Sequence, residues 1–558
     1  MEHFVIKGVS GPVPVTVFEN ASPTALTAGR ELCRYLELQC GTAPVFSVGK
    51  MPNSGICIGF GSSDYGTDEF ELGFRGDSLF IDGGNRGVLY GVFELLERLG
   101  FRFFTVDCTR IPKAEILETE KKDVRAKPVF EYRCTNWRGM TPALAPRLRI
   151  NALLGRSIPR EFGGDIHYAG FVHTLGDLSE METTDGGYTD RQPCLSDEKV
   201  FETVMKNLSL RLRDDPGATI ASVSQNDSHE WGRGCQCEKC LKADGEEGTP
   251  MGSLLRFVNR VGEAVKKDFP DVAVDTLAYR YTRKAPKTLR ADENVIVRLC
   301  SIECCFSHPI ESCDRSVYDV EDGSFASTLK NWRDRSNRIY IWDYTTNFRS
   351  YHNMFPNFRV LRQNLRFFAE NNVKGVFEQG DPETVNGEFG PLRTYLIAKL
   401  LWDPYMSEET YKTHILEFMT GYYGAAGEHL MRFLDRLCRS AENVHYGIYF
   451  EDPTELFPDP DTSGEGGARA FLEKGRADFA RAKAAVSGVE LERVCLCELQ
   501  LDLYEWFLLS HEGDIASRRE LGEKLLRKAR YHGIRAMYEG GSGFLNREPD
   551  LDSQPCFW

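Results

Sequence analysis

The stretch RIYIWDYTTNFRSYHNMFPNFRVLRQNLRFFAENNVKGVFEQGD, residues 338–381, decides the fold. It begins with an apolar run rich in β-branched and aromatic residues (338–347), continues through an amphipathic segment (357–372), and closes with a second apolar run (373–381). Two short apolar runs that flank a segment of helical periodicity are typical of a β-α-β unit. The stretch therefore predicts an α/β fold.

The same rhythm extends over residues 126–404, where amphipathic helices separate short apolar runs. The eight predicted strands are 129–137, 149–155, 168–175, 218–227, 271–280, 293–303, 338–347 and 373–381. Eight strands that alternate with helices predict a central (β/α)8 TIM barrel. An open, doubly wound sheet fits the same rhythm and stays as the alternative.

Two further domains flank the predicted barrel. In residues 1–125, short strands surround two helical patterns, one that stops at Gly41 and one (85–100) that ends at Gly100, which predicts a small α+β accessory domain. Residues 405–558 contain one amphipathic helical pattern after another, which predicts an α-helical C-terminal domain. Three domains agree with a length of 558 residues.

Composition excludes several classes of function. The net charge of −15 argues against a nucleic-acid partner, because phosphate binding requires a basic face. No apolar run reaches the roughly 20 residues that cross a bilayer, and the start MEHFVIKGVSG has no signal-peptide pattern, so we expect a cytoplasmic protein with no membrane partner. Seventeen dispersed cysteines, many inside apolar runs, agree with reduced thiols in the cytosol. The oligomeric state is left open by the sequence.

Polar side chains cluster where the predicted strands end. In a barrel, catalytic groups come from the carboxyl ends of the strands, because only that rim presents side chains to one shared pocket. The predicted catalytic residues are the four carboxylates at these ends, Asp227, Glu303, Asp343 and Glu378. The predicted substrate-binding residues are Trp137, Arg138, His173, Asn226, Tyr279, Trp342, Tyr344 and Gln379.

Paired carboxylates with neighbouring aromatic rings match the needs of glycosidic-bond hydrolysis. One carboxylic acid protonates the leaving oxygen and a second group acts at the anomeric carbon, while aromatic rings stack on sugar faces. Any single one of these acids could instead be a salt-bridged residue of the rim. The sequence thus predicts an oligosaccharide or glycoside as substrate and no organic cofactor.

The stretch ASVSQNDSHEWGRGCQCEKC, residues 221–240, contains a concentrated group of thiols. His229, Cys235, Cys237 and Cys240 have the residue types of a zinc site, although the Cys-x-Cys spacing is tighter than usual. The sequence leaves three interpretations open: a thiol cluster that folds the loop, a zinc site, or an oxidised pair. We expect Cys304, Cys305 and Cys313 to lie close to this group.

Two segments resemble known families. The first, ELCRYLELQCG…ICIGFG…LFIDGGNRGVLYGVFELLERLGFRFF, is similar to the small α+β domain that precedes the barrel in α-glucuronidases and β-N-acetylhexosaminidases. The second, SVSQND…CQCEKC…LLRFVNRVGEAVKKDFPDVAVDTLAY, resembles a large bacterial family known as domain of unknown function 4838. The resemblance implies a barrel glycosidase that acts on glycans containing uronic acids or N-acetylhexosamines.

Two mechanisms follow from this resemblance. In the first, Asp227 or Glu378 is the general acid and Glu303 or Asp343 is the general base. In the second, Asn226 holds a substrate acetamido group that acts as the nucleophile, and a carboxylate protonates the leaving group. Two alternatives from other classes remain, a non-catalytic carbohydrate-binding protein and a zinc-dependent hydrolase that uses the cysteine cluster.

Overall fold

The computed structural model describes residues 2–61, 64–181, 191–227, 233–315, 323–385, 387–456 and 466–541. Within these ranges, strands and helices alternate in the first two thirds of the chain, and helices alone form the last third. None of the described helices is both long and apolar enough to cross a membrane.

The first unit is built on three antiparallel or mixed sheets and two helices. Its helices are α1 (Pro23–Cys40) and α2 (Gly87–Arg98). Its strands are β1 (His3–Gly8), β2 (Gly11–Pro12), β3 (Val15–Phe18), β4 (Phe46–Gly49), β5 (Gly55–Ile58), β6 (Phe70–Arg75), β7 (Ser78–Gly83), β8 (Arg102–Thr105), β9 (Cys108–Arg110), β10 (Leu117–Glu120) and β11 (Val124–Ala126). The larger sheet has the order β11-β6-β7-β5-β3-β4.

Helix α1 shows how local sequence sets these boundaries. The Ser22 hydroxyl caps its start by accepting from the backbone N–H of Ala25 at 3.2 Å, and Pro23 occupies the first turn. Gly41, with φ of 71°, ends the helix in the left-handed conformation. The predicted stop at Gly41 is therefore confirmed.

The central unit is one all-parallel sheet with helices between its strands. In the described part of the chain its order is β12 (Tyr132–Thr135), β18 (Val373–Gln379), β17 (Ile339–Tyr344), β16 (Val295–Cys300), β15 (Ala273–Ala278), β14 (Ile220–Ser222) and β13 (Tyr168–Ala169). The helices are α3 (Leu175–Leu178), α4 (Glu198–Asp214), α5 (Glu238–Glu247), α6 (Met251–Asp268), α7 (Phe325–Arg333), α8 (Leu361–Glu370) and α9 (Gly390–Trp402). Seven of the eight predicted strand runs contain an observed strand.

The predicted strand at 149–155 is reduced to a single parallel bridge between Cys134 and Ala152. Arg149 has φ of 59°, which interrupts the extended backbone at the start of the run. The side chain of Asn151 then takes over ladder hydrogen bonds: its Oδ1 accepts from the backbone N–H of Arg133 at 2.9 Å, and its Nδ2 donates to the carbonyl of Glu131 at 2.7 Å. A side chain thus replaces part of the backbone pairing in this position.

Strand alternation gives the sheet two different faces. One face packs a cluster formed by Tyr132, Cys134, Ala152, Ile220, Ala273, Ile296, Tyr340 and Phe377. Residues at the alternate positions of five strands, among them Ala221, Val274, Val297, Ile341 and Val376, belong to the large cluster that packs beneath the helices. Because successive strand residues point to opposite faces, every residue near a strand end is assigned to one face by its position. We call the face of the first cluster the inner face.

The remaining helices form the C-terminal region. They are α10 (Glu408–Tyr423), α11 (Gly427–Ser440), α12 (Gly467–Ala484), α13 (Gly488–Cys497), α14 (Leu499–Glu512) and α15 (Ile515–Tyr531). After α15 the chain returns to the sheet: Tyr351 donates its N–H to the carbonyl of Met537 at 2.7 Å, and Glu539 donates its N–H to the carbonyl of Phe348 at 3.1 Å. These bonds fasten the C-terminal segment to the loop that follows β17.

Candidate active site

A cavity of about 630 Å³ opens at the carboxyl ends of the parallel strands. Its volume lies within the range of about 300–1,000 Å³ that is usual for ligand sites. Its wall is formed by Leu154, Phe171, Val172, His173, Asp227, Leu277, Tyr279, Arg280, Cys300, Ile302, Trp342, Tyr344, Phe348, Phe377, Gln379, Glu383, Tyr449, Glu539 and Gly540. The wall combines residues of the strand ends with residues of the helical region.

Asp227 is a carboxylate of this wall that faces basic groups. Its Oδ1 lies 3.8 Å from Nη1 of Arg280, and its Oδ2 lies 3.8 Å from Nε2 of His173. Asp227 follows β14 and Arg280 follows β15, so neighbouring strands of the sheet bring the two charges together. The carboxyl group of Asp227 thus has a guanidinium on one side and an imidazole on the other.

Glu539 is a carboxyl of the same wall in a contrasting environment. Burial raises its pKa to about 7, and the negative charges of Glu383 and Asp227 act in the same direction. The Gln379 side chain opposes this shift by donating to Oε1 of Glu539 at 3.1 Å. Glu539 therefore retains its proton over a large fraction of molecules at neutral pH, which is the state that a general acid requires.

Glu383 completes the group of carboxyls in the cavity wall. Its Oε1 accepts from the backbone N–H of Gly540 at 2.9 Å, which ties the loop after β18 to the C-terminal segment. Its Oε2 is buried and has no hydrogen-bond partner among the described residues. An oxygen of this kind is able to accept a hydrogen bond from a bound hydroxyl group.

The ring of His173 is held in a fixed tautomer. Its Nδ1 lies 2.7 Å from the carbonyl oxygen of Gln225, and because a carbonyl only accepts, Nδ1 carries the hydrogen. Burial lowers the pKa of His173, although Asp227 acts in the opposite direction. In the neutral ring, Nε2 is an acceptor that faces the cavity beside Asp227.

Backbone strain coincides with this part of the wall. His173 and Arg280 have φ of 54° and 52°, in the left-handed region that residues other than glycine rarely adopt. Such conformations cost about 1–3 kcal/mol each and concentrate at functional sites. The two strained residues are the same two that flank Asp227.

Aromatic rings form the apolar part of the wall. The rings of Trp342 and Tyr344 are nearly parallel, with centroids 6.2 Å apart and an interplanar angle of 22°. Phe171 and Phe377 each pack against Trp342, at 5.4 Å and 5.1 Å. The indole N–H of Trp342 donates to Oε1 of Gln379 at 2.7 Å, and Gln379 in turn donates to Glu539. A hydrogen-bonded chain thus connects the aromatic wall to the proton-bearing carboxyl.

Two of the predicted catalytic carboxyls lie on the opposite face of the sheet. Asp343 and Glu378 are directly paired in the register of β17 and β18, and both are buried. Their neighbours Trp342, Tyr344, Phe377 and Gln379 line the cavity, so alternation turns Asp343 and Glu378 away from it. Oδ1 of Asp343 accepts from the hydroxyl of Ser301 at 2.5 Å.

The two carboxyl groups on the helix-facing side, those of Asp343 and Glu378, are costly to ionise. Burial raises the pKa of Asp343 to about 6. Burial, and then the charge of Asp343, raise the pKa of Glu378 well above its ordinary value. Both carboxyl oxygens of Glu378 are buried without a hydrogen-bond partner among the described residues. Glu303, the fourth predicted carboxylate, is also buried, with Oε2 at 3.8 Å from Nη1 of Arg283.

Of the predicted substrate-binding residues, His173, Tyr279, Trp342, Tyr344 and Gln379 line the cavity. The other three are used elsewhere. The indole of Trp137 is buried and donates to Oγ1 of Thr345 at 2.9 Å, while the exposed Arg138 donates to the carbonyl of Glu383 at 3.2 Å.

Asn226 is occupied by the protein itself. Its Oδ1 accepts from the backbone N–H of Gly176 at 2.6 Å, and its Nδ2 donates to the carbonyl of Arg191 at 3.2 Å. The carboxamide thus organises the loops around α3 and has both ends engaged, which leaves the role of acetamide binding without a free donor on this residue.

Sequence reasoning missed Arg280, Glu383 and Glu539. Arg280 is the last residue of the predicted strand 271–280, and Glu383 lies just beyond 373–381, so attention to every polar residue at or after these strand ends could have found both. Glu539 lies about 150 residues further along the chain, in a segment with no strand pattern, and nothing in its neighbourhood marks it.

The predicted cysteine group has a different membership in the structure. Cys235, Cys237 and Cys240 converge with Cys194, and His229 lies outside the described residues. Cys305 and Cys313 form a separate group with His308 and His445. The cysteines of the described residues are free thiols.

A family described as Domain of unknown function (DUF4838) matches residues 103–435. The chain belongs to this family. The match spans the sheet, its helices and the loops that carry Asp227, Arg280 and Glu383. Glu539 lies beyond it. No curated protein matches the sequence.

Solved structures share the overall fold at low sequence identity. The family 89 glycoside hydrolase from Clostridium perfringens, in complex with 2-acetamido-1,2-dideoxynojirmycin, has a TM-score of 0.51 and 10% identity over 91% of this chain. The same enzyme in complex with PUGNAc has a TM-score of 0.50. This chain spans 65% of the length of that enzyme. The protein CpGH84B, with 12% identity over 98% of this chain and 97% of its own, has a TM-score of 0.45.

Proposed function

We propose that this protein is a glycoside hydrolase in which Glu539 is the general acid and Asp227 is the second catalytic carboxylate. The observation that carries the proposal is the contrast between two carboxyls in one cavity: Glu539 has a pKa of about 7, whereas Asp227 faces Arg280 at 3.8 Å. Environments that push the ionisation of two carboxyls apart are how a single site provides both an acid and a base.

The chemistry follows from these states. Glu539 donates its proton to the leaving glycosidic oxygen, and the anomeric carbon becomes positively charged as the bond breaks. Asp227 either attacks this carbon or takes a proton from the attacking water. Glu383 adds a second negative charge near the developing positive charge, which stabilises the transition state in a partly enclosed site.

The composition of the cavity favours an uncharged sugar. Asp227, Glu383 and Glu539 contribute acidic groups, and the guanidinium of Arg280 already faces Asp227. A uronate would bring another negative charge into this surrounding without a dedicated cation. The aromatic wall of Trp342, Tyr344 and Phe348 suits the apolar face and the methyl group of an N-acetylhexosamine. We therefore infer an N-acetylhexosaminide substrate in preference to a glucuronide.

We also infer that the sheet closes as an eight-position barrel. The inner-face cluster includes Ala152 together with residues of six strands, and Ile166 donates its N–H to the carbonyl of Asn151 at 2.9 Å. This bond lies next to β13, while the bridge to Cys134 lies next to β12. Residues 1–125 and 405–558 would then be accessory domains on either side of a barrel of 126–404.

A panel of 4-nitrophenyl glycosides tests the function. We expect turnover of an N-acetylglucosaminide or N-acetylgalactosaminide and no turnover of glucuronides. Binding of 2-acetamido-1,2-dideoxynojirmycin should be measured alongside. Binding of this compound without turnover of any glycoside would favour a non-catalytic carbohydrate-binding protein. Loss of turnover after metal removal, in a protein whose Tm is unchanged, would favour the zinc-dependent alternative.

A further inference from the structure

Four thiols converge outside the cavity, at the start of α5. The Sγ atoms of Cys194, Cys235, Cys237 and Cys240 all lie within 4.8 Å of one another, and those of Cys194 and Cys237 are 3.7 Å apart. A tetrahedron of sulfurs at about 2.3 Å from a zinc ion has edges of about 3.8 Å. The observed separation matches this edge and is far longer than a disulfide bond of about 2.05 Å.

The local backbone structure brings these thiols together without a metal ion. Cys237 is the N-cap of α5, and its Sγ accepts from the backbone N–H of Cys240 at 3.4 Å. Cys240 lies in the first turn of the same helix, so Cys237 and Cys240 face the same point. Cys194 reaches this point from the segment before α4, and the hydroxyl of Ser196 lies 3.0 Å from Sγ of Cys240.

We propose that Cys194, Cys235, Cys237 and Cys240 bind one zinc ion. Four protein thiolates fill a tetrahedral coordination shell, which is the pattern of a structural site and leaves no open position for catalysis. The ion would fasten Cys235 and the start of α5 against the segment that precedes α4. None of the four ligands lines the cavity, so the role of this ion would be structural.

A second group of possible zinc ligands lies elsewhere in the structure, and a different observation supports it. His308 Nε2 lies 3.0 Å from the carbonyl of Glu442, so Nε2 carries the hydrogen and Nδ1 keeps its lone pair in the neutral ring. Such a bond from the second ring nitrogen to a carbonyl is the usual support of a metal-binding histidine. Nδ1 of His308 lies 3.3 Å from Sγ of Cys305.

Two more ligands, one thiol and one imidazole, complete this second group. Sγ of Cys313 lies 3.7 Å from Nδ1 of His445, and the rings of His308 and His445 have centroids 4.2 Å apart. All four ligand atoms lie within 4.8 Å of one another. We infer that Cys305, His308, Cys313 and His445 bind a second zinc ion, which would join the loop after β16 to the segment after α11.

Metal analysis of protein purified without a metal-affinity step, loaded with zinc and dialysed, tests both sites. We expect about two equivalents of zinc per chain. Cys194→Ser and Cys313→Ser should each remove about one equivalent, and Cys495→Ser, a half-exposed cysteine outside both groups, should remove none. Retention of full zinc content in Cys194→Ser would overturn the first site, and retention in Cys313→Ser would overturn the second.

Wild-type protein provides a readout that does not depend on the folding of variants. Cobalt substitution should produce the thiolate-to-cobalt charge-transfer band and the intense visible bands of tetrahedral coordination. Chelation should expose the six cluster thiols to a thiol-reactive reagent. A wild-type zinc content below about 0.2 equivalents, with unchanged thiol reactivity after chelation, would overturn both sites.

Discussion

The carboxyl groups on the two faces of one parallel sheet lie in different environments. On the cavity side, Asp227 faces the guanidinium of Arg280, whereas burial raises the pKa of Glu539 to about 7. On the helix side, Asp343 and Glu378 are paired across β17 and β18 and are enclosed by the core. Both sets consist of acids at strand ends or in nearby loops, so residue type alone does not separate them.

The difference teaches that access, and not proximity of two acids, defines the candidate catalytic pair. Burial makes Asp343 and Glu378 costly to ionise, and the charge of Asp343 adds to the cost for Glu378, in a closed environment where no substrate oxygen reaches them. Asp227 and Glu539 share a cavity large enough for a sugar ring.

The largest expected effect is that of Asp227→Asn. Removal of the carboxylate that faces the anomeric carbon should lower kcat by about 10²–10⁴-fold with little change in Tm. Asp343→Asn is the matched control, because it makes the same chemical change on the other face and should leave kcat within about twofold. Steady-state kinetics on the best glycoside of the panel measures both. Equal losses in the two variants would remove the distinction between the faces.

A smaller effect concerns the pH profile. Since Glu539 must be protonated, activity should fall as the pH rises through about 7. Glu383→Gln removes a negative neighbour, which lowers the pKa of Glu539 and moves the alkaline limb of the pH–activity profile to lower pH. Gln379→Met removes a hydrogen bond to the ionised carboxyl, which raises the pKa and moves the limb to higher pH.

The two shifts are measured by kcat/KM between pH 5 and 9, with Glu378→Gln as a control that leaves the limb in place. Shifts of the same sign in Glu383→Gln and Gln379→Met would contradict the assignment of the limb to Glu539.

The smallest effect is on stability. Glu378 has a folded-state pKa raised above its ordinary value of 4.5, so the folded state gains relative stability below that pH and loses it as the pH rises toward the folded pKa. Glu378→Gln removes this loss. The Tm of the variant, relative to wild type, should therefore increase as the pH rises from about 4.5. A Tm difference that shrinks over this range would show that the buried carboxyl is stabilised when charged.

Much of the architecture was predictable because periodicity and chain breaks are local. The β-α-β rhythm located seven strands of the sheet, and Gly41 marked the end of α1. The prediction of a strand at 149–155 was wrong because the Asn151 side chain replaces backbone pairing there, which no apolar pattern reveals.

The assignment of carboxyls to a face was not predictable. In a parallel sheet covered on both sides, strands are apolar throughout, so the run IYIWDY gives no alternation from which to tell that Trp342 faces inward and Asp343 outward. Glu539 and Cys194 were missed for a different reason, since only the folded chain brings them to Asp227 and to the Cys235–Cys240 loop.

One paired measurement tests the central claim most directly: kcat/KM of Glu539→Gln and Glu378→Gln on glycosides with good and poor leaving groups. The account predicts a loss of about 10²–10⁴-fold for Glu539→Gln on a poor leaving group, a much smaller loss on a nitrophenolate that needs no protonation, and activity close to wild type for Glu378→Gln. Full activity of Glu539→Gln on the poor leaving group, together with an inactive but folded Glu378→Gln, would contradict it.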